Sequence, residues 1–412
     1  MTSDGPYDRA IDLAERARED PDAVDRDEII ELLGSESSDA RRYAIQAFRA
    51  VEWSESELES FVPPLRGALR ADDPILRNSA LQALTDVASR DVSLVEPVLD
   101  DVADLLSDEQ DLVRSSTVEF LYFVGQEDAE AIRPCADELL AMFDGDPSPG
   151  QRSPLYCLAL LAREDVDPVV DELHRFVDVF VDGPDDRAEF DTREIDGRLD
   201  ADQIQNVAQT ATKQRRDYRV VAGDVIVSIA RQEPAAVVDH LPDLAPFADD
   251  PVLQIRVVVL DVLGALAMDY PERVLGHLPA LAAALDDGRP VSAHAVKALG
   301  ALSQERPDAA VEAVSPHADK LIDLLDHAES EVRSVAAGLL SYLGAEQPET
   351  VEPALPDARD LLDDEHPYVR GNAVWIVEAV GDESDRETLK ELAESDPNPQ
   401  VREAAETAAQ QL

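Results

Sequence analysis

The residues able to do chemistry are few and poorly grouped. Of the seven histidines, His240 and His277 stand 37 residues apart in matching contexts, DHLPDL and GHLPAL. Imidazoles so placed are copies of one position in a repeated unit rather than ligands of one metal. Cys135 and Cys157 lie in the apolar runs IRPCADELL and SPLYCLALL, where a thiol serves as a small buried hydrophobe. Asp144 and Asp146 in FDGDPSPG alternate as calcium-loop carboxylates do, but the other ligands are missing and an acidic turn is the plainer reading. The chain has no GxxxxGK[ST] loop, GxGxxG turn, HExxH helix, CxxC pair or GxSxG elbow. The expectation is therefore no catalytic residue, no metal and no cofactor.

What does recur is an arginine behind an apolar residue. Arg41, Arg77, Arg114, Gln151, Arg219, Arg256, Ser292, Arg333, Arg370 and Arg402 follow one another at steps of 36, 37, 37, 68, 37, 36, 41, 37 and 32. Apolar residues stand four, seven and ten positions after the anchor, as in Leu81, Leu84 and Val87 or Leu260, Leu263 and Leu266. That spacing is the stripe of an amphipathic helix, since a strand would alternate with period two. Val374, Val377 and Val380 should be buried in the same way. A second apolar segment and a turn rich in Asp and Pro precede each anchor, as in VEPVLDDVADLLSDEQDLVR and VEPALPDARDLLDDEHPYVR.

With Pro97, Pro134, Pro242, Pro279 and Pro356 inside the first segments and Val-Arg opening the second, the unit resembles a HEAT repeat. The resemblance covers roughly residues 26 to 411 and implies an all-α fold, a right-handed α-α superhelix of HEAT/armadillo type with about ten helix pairs. A pair of ~37 residues cannot bury its stripes alone, so neighbours must stack. In the family the arginine pairs with the acidic turn of its own or the adjacent repeat. This assigns Arg77, Arg114, Arg256, Arg333 and Arg370 to a ladder with Asp73, Asp250 and Asp364. The expected pairs are Arg77 with Asp72 or Asp73, Arg256 with Asp249 or Asp250, and Arg370 with Asp363 or Asp364. Ser292 breaks the pattern and marks a local irregularity. The family's second helices line the concave face, which places Tyr122, Tyr156 and Trp375 on a candidate protein-binding groove.

The organisation read from these features has a capping helix in 1–25, repeats 1 to 4 and the first helix of repeat 5 in 26–182, a polar insertion in 183–214, and the remaining repeats in 215–412 as one continuous solenoid. A short helix is expected near Gln203 to Thr212. The one basic cluster, Lys213, Arg215, Arg216 and Arg219, follows the insertion and adds Lys213, Arg215 and Arg216 to the candidate partner contacts. The last ten residues, EAAETAAQQL, carry Glu406 where an apolar residue is expected, as suits a terminal repeat facing water.

Asp and Glu number 89 against 36 Lys and Arg, a formal net charge of −53, and Lys213, Lys297, Lys320 and Lys390 are the only lysines. Acidity spread along the chain with lysine depleted resembles proteins of salt-in haloarchaea. Neither a signal peptide nor an apolar run of ~18 residues is evident, which with the free thiols points to a cytoplasmic protein with no membrane partner. The function expected is a non-enzymatic scaffold for an unknown protein partner. Every histidine is followed by Arg, Leu, Ala or Pro, which excludes the HEAT-type di-iron hydroxylases and their His-Glu pairs. A nucleic-acid-binding HEAT-like protein is the alternative, against which stands the scarcity of clustered cations, and a bilin-lyase-like protein is the second alternative, resting on fold alone. Self-repulsion at this charge is screened at high salt, where the Debye length falls to roughly 3 Å at 1 M. The thermal unfolding midpoint should therefore rise steadily with KCl; a midpoint independent of salt would contradict the salt-adapted reading.

Overall fold

The computed structural model describes residues 5–143, 154–182 and 201–412, without side-chain detail for 201–212, 214 and 215. Among the described residues every regular element is a helix. The chain divides into two compact units, Met1–Val225 and Ile226–Leu412. Asp144, Asp146 and Gln151 lie outside the described residues.

In the first unit the second helices of successive pairs are Ser38–Arg49, Pro74–Ala88, Asp111–Glu127 and Pro154–Glu164, followed by Ala201–Gln232, within which the division between the units falls. In the second unit they are Leu253–Leu266, Arg289–Glu305, Ser330–Glu346, Pro367–Val380 and Pro399–Gln411. Counted in chain order, these are pairs 1 to 10. Their stripes form the core: Leu81, Leu84, Val87, Leu260, Leu263, Leu266, Val374 and Val377 are fully buried. Val380 is only half-buried, because its helix ends there and the chain turns away at Gly381.

The first member of most pairs is not one helix. Val92–Val98 is a 3-10 turn with Pro97 inside it, and a short α-helix Leu99–Asp104 follows. Pro134 likewise lies inside a 3-10 segment, Glu130–Cys135, while Pro242, Pro279 and Pro356 are each the second residue of a short α-helix. Proline lacks the N–H that an interior helical residue would donate and is tolerated where no such bond is due, in the first turn. The repeated proline thus divides the first segment into a lead-in turn and a proline-started helix.

The helix Pro6–Glu19 buries Ala10, Leu13, Ala14 and Ala17 and packs on the second helix of pair 1. The helix Pro399–Gln411 buries Val401, Ala404, Ala405, Ala408 and Ala409 and exposes Glu403 and Glu406. The helix Ala201–Gln232 begins well before residue 215 and runs 32 residues, so it takes in the short helix expected at 203–212 as its own first turns. Its opening, ADQIQNVAQTATKQRR, is rich in Ala, Gln, Lys and Arg, which hold helical backbone readily even in a polar stretch.

Two glycines show how closely the second helices approach. A Cβ at Gly300 would stand 2.3 Å from Cγ1 of Val335 on the next second helix, whereas one at Gly371 would find its nearest neighbour, Cγ2 of Val401, at 4.0 Å. Alanine favours helix over glycine by about 1 kcal/mol, so Gly371→Ala should raise the unfolding midpoint. Gly300→Ala should lower it, because β-branched Val335 has little freedom to move aside. Thermal unfolding of the two variants decides this; stabilisation by both would mean that the helices do not meet at Gly300.

Candidate functional site: the arginine ladder and the face of the second helices

Arg77, Arg114, Arg256, Arg333, Arg370 and Arg402 each occupy the fourth residue of a second helix. Helical side chains lean toward the N-terminus, so each guanidinium reaches back over the turn that precedes its helix. There Nη1 donates to the carbonyl six residues earlier: Ala71 at 2.7 Å, Asp108 at 2.6 Å, Asp250 at 2.8 Å, His327 at 2.8 Å, Asp364 at 2.8 Å and Asp396 at 2.7 Å. These carbonyls would otherwise lack a partner at the turn.

The rest of the guanidinium faces the next pair. Arg77 donates to Asp108 at 2.9 Å, Arg333 to Asp364 at 2.8 and 3.1 Å, and Arg370 to Asp396 at 2.7 and 2.9 Å, while Arg256 lies 3.3 Å from Asp287. The carboxylate partner is therefore not the arginine's own turn, which corrects the pairs expected from the family pattern. Asp72 offers Arg77 only its carbonyl, and the Asp73 carboxylate caps its helix by accepting from the Ile75 N–H. Asp73 also lies 3.9 Å from Arg42 of the preceding pair. Asp250 gives Arg256 its carbonyl, and its carboxylate accepts from the Val252 N–H. Asp364 gives Arg370 its carbonyl and Arg333 its carboxylate. Arg114 pairs with Asp111 one turn away, and residues 144–153, which hold the turn of the next pair, are outside the described residues.

The physical reason is that the turn carboxylate is oriented by the backbone N–H two residues on, as Asp364 is by His366 at 2.8 Å and Asp396 by Asn398 at 2.7 Å. Held so, it faces the preceding pair while its carbonyl faces its own arginine. One aspartate thus joins two arginines. Where Ser292 replaces the anchor, Arg289 at the start of the same helix crosses to Asp326 and to the Asp323 carbonyl, an exposed substitute for the rung. Arg219 is buried, with Nε donating to the Phe180 carbonyl at 3.0 Å.

Contacts with arginine leave several carboxyls below the ordinary carboxylate range. For Asp396 the cause is the bond from Arg370, working against burial. For Asp385 it is the bond from Arg359 at 2.7 Å. At Asp364 burial is the largest influence and pushes upward, but the bonds from Arg333 and the His366 N–H outweigh it. Burial, helped by the nearby carboxylates of Glu138 and Asp100, pushes the Cys135 thiol up to about 11, in keeping with an inert core thiol.

The exposed face of the second helices is mostly occupied by bonds between neighbouring helices. Arg49 reaches Gln82 at 2.7 Å and also pairs with Asp86; Arg231 and His294 meet Asp261 at 3.3 and 2.6 Å; Lys297 holds Glu329 and Glu331 at 2.7 and 3.1 Å. Tyr122 and Tyr156 are half-buried and pack edge to face, ring centres 6.0 Å apart. Trp375 is 36% exposed. Sequence reasoning missed Tyr342, 54% exposed on the neighbouring second helix and one turn beyond Gly338, which holds Trp375's equivalent position. Tyr342 stands nine positions after the anchor Arg333, and counting that far from each anchor would have found it. Lys213 is exposed, Arg216 lies 3.9 Å from Asp217, and the side chain of Arg215 is outside the described ones.

Residues 318–410 match the family described as HEAT repeats, and residues 41–144 match the family described as non-SMC mitotic condensation complex subunit 1. No curated protein matches the chain. Among solved structures, a computationally designed armadillo repeat protein for modular peptide recognition is similar at 21% identity and a TM-score of 0.38, covering 48% of this chain and 94% of its own. A designed armadillo protein in complex with the peptide (KR)4 gives 22% identity and a TM-score of 0.38, over 48% and 93%. A triple mutant of Kap121p gives 15% identity and a TM-score of 0.39, over 92% of this chain and 44% of that one. The chain is an all-α solenoid of the HEAT/armadillo type.

The Arg370–Asp396 pair is the most enclosed rung, its side chains 10% and 2% exposed. Arg370→Met leaves a buried carboxylate unpaired and should cost about 3 kcal/mol in unfolding free energy. A folded-state pKa below the ordinary ~3.9 means that protonation favours the unfolded chain. The stability held by Asp364, Asp385 and Asp396 is therefore present above about pH 4 and lost as pH falls through their depressed values. Denaturant melts from pH 6 down to about pH 2 should show this loss, shallower in Asp396→Asn; an identical acid limb in that variant would remove Asp396 from the account.

Proposed function

We propose that the chain is a non-enzymatic scaffold that binds a protein partner on the face of its second helices, with Tyr342 and Trp375 as the main contacts. The observation carrying this reading is that two large aromatic side chains stand exposed on adjacent second helices, beside Gly338, on a face where Lys297 is held by Glu329 and Asn372 by the Ser334 carbonyl. Exposed aromatics with a flat apolar body and a polar tip are the side chains that most often dominate binding energy. Tyr122 and Tyr156 contribute a lesser contact, since each already covers the other. Lys213, Arg215 and Arg216 on the helix Ala201–Gln232 offer a basic contact for an acidic segment of a partner. The match of residues 41–144 to a condensation-complex subunit supports membership of a larger assembly.

The acidic, lysine-poor surface supports a salt-rich cytoplasm as the setting. There, exposed ion pairs are screened and aromatic contacts are not, so the partner should be retained in molar salt. Affinity capture with the full chain from lysate of the native host, compared with Tyr342→Ala/Trp375→Ala, tests the assignment. A partner retained by the natural chain and depleted about tenfold or more by the double variant, at unchanged circular dichroism, is the expected outcome. Equal recovery by both would move the binding face elsewhere.

A further inference from the structure

Within the first unit, a cleft of about 390 Å³ opens where the second helices of pairs 1 and 2 end. Its lining is mostly polar, with one aromatic side chain, Trp53, half-buried in it. Phe48 and Leu58 are buried, and Trp53 lies against Phe61 at 4.9 Å between ring centres with its Nε1–H donated to the Phe48 carbonyl at 2.9 Å. That bond satisfies the one polar atom of the indole and fixes the ring, so what the ring offers the cleft is hydrocarbon and π surface.

The walls carry four charges of two kinds. Arg49 and Asp86 are bonded to each other and offer little further. Glu52, on the linker after pair 1's second helix, and Arg90, on the linker after pair 2's, are exposed and both line the cleft. Among the described residues neither has an ion-pair partner, and they do not pair with each other. In a chain with so large an excess of acid, where arginines are mostly bonded to carboxylates, a bare arginine and a bare glutamate on separate loops of one cleft beside an indole ring form an arrangement that neither the ladder nor the core requires. The helix that ends at Ala50, two residues before Glu52, adds the partial negative charge of its C-terminus beside that carboxylate.

We propose that this cleft is a binding site for a small zwitterion, an α-amino acid with an apolar side chain. Its ammonium meets Glu52 and the helix end at Ala50, its carboxylate meets Arg90, and its side chain lies on the face of Trp53. The volume lies within the range of ordinary ligand sites, and a ligand of a dozen heavy atoms in an open cleft should bind with Kd on the order of 1 mM. The proposal does not depend on the aromatic pair of the second unit.

Trp53 and Trp375 are the only tryptophans, so the full-length Trp375→Phe variant reports on Trp53 alone. Its emission is titrated with phenylalanine, with N-acetylphenylalanine, which lacks the cation, and with phenylalaninamide, which lacks the anion, at a salt concentration where circular dichroism shows the chain folded. A saturable change with phenylalanine, weakened about threefold or more by either cap, is expected. Glu52→Gln should abolish the penalty for acetylation and Arg90→Gln the penalty for amidation, with the fold unaffected because both residues are exposed. Absence of saturation up to about 50 times the expected Kd, or equal titrations by the free and capped forms, would overturn the proposal.

Discussion

An arginine bonded at once to the carbonyl of its own turn and to the carboxylate of the next is the contact on which the spacing of this chain depends. The apolar stripes supply the driving force for stacking, but hydrophobic contact is non-directional and tolerates sliding of one helix along another. The rung does not tolerate it. Asp364 accepts from Arg333, from the His366 N–H and, through its carbonyl, from Arg370, so three elements are fixed by one residue. Asp396 repeats the arrangement with Arg370, Asn398 and Arg402. Buried ion pairs add little net stability over apolar replacements, and loss of one partner is costly; both facts suit a device that sets register.

The same contact bears on the acidic surface. The rung arginines stand at the starts of the second helices, where Arg77, Arg333 and Arg370 each neutralise a carboxylate mostly shielded from water. First-segment arginines do likewise, as Arg66 and Arg70 do with Asp101 and Arg359 with Asp385. Much of the chain's limited positive charge is thereby used internally, and the surplus of carboxylates is left to water. A surface of that kind repels phosphate backbones, which weighs against the nucleic-acid alternative, and it leaves aromatic and apolar side chains as the groups whose attraction survives screening.

The periodicity was legible because it follows from one physical need, an apolar residue facing the core at each turn of helix, and Leu81, Leu84 and Val87 state it plainly. The partner of each arginine was not legible. Asp72, Asp73 and Asp108 are all acidic turn residues near Arg77 in sequence or in the repeat, and only the backward lean of the helical side chain and the Asx-type bond at the turn decide that the carboxylate comes from Asp108. The broken first segments were hidden for a related reason: Pro97 and Pro356 occupy equivalent places, and periodicity does not tell a proline inside a helix from one that begins it. The cleft at Trp53 had no signal at all, because Glu52 and Arg90 come from linkers of different pairs and share a wall only once the pairs are stacked.

Register and recognition therefore use different parts of the same helix. The fourth residue, at the start, is committed to the ladder, and the stripe that follows is committed to the core. Only the middle of the outward face is free to vary without disturbing either, and it is there that one pair carries Gly338, the next Trp375, and an earlier one Lys297 bonded to Glu329. If the ladder fixes the axial spacing of the pairs, then side chains placed on this face are held at fixed separations by contacts that they do not themselves make. Tyr342 and Trp375 stand on two helices whose starts are joined by the Arg333–Asp364 pair. If this face binds a partner as proposed, it needs little ordering on binding, which keeps the entropic cost of recognition low even with two recognising side chains.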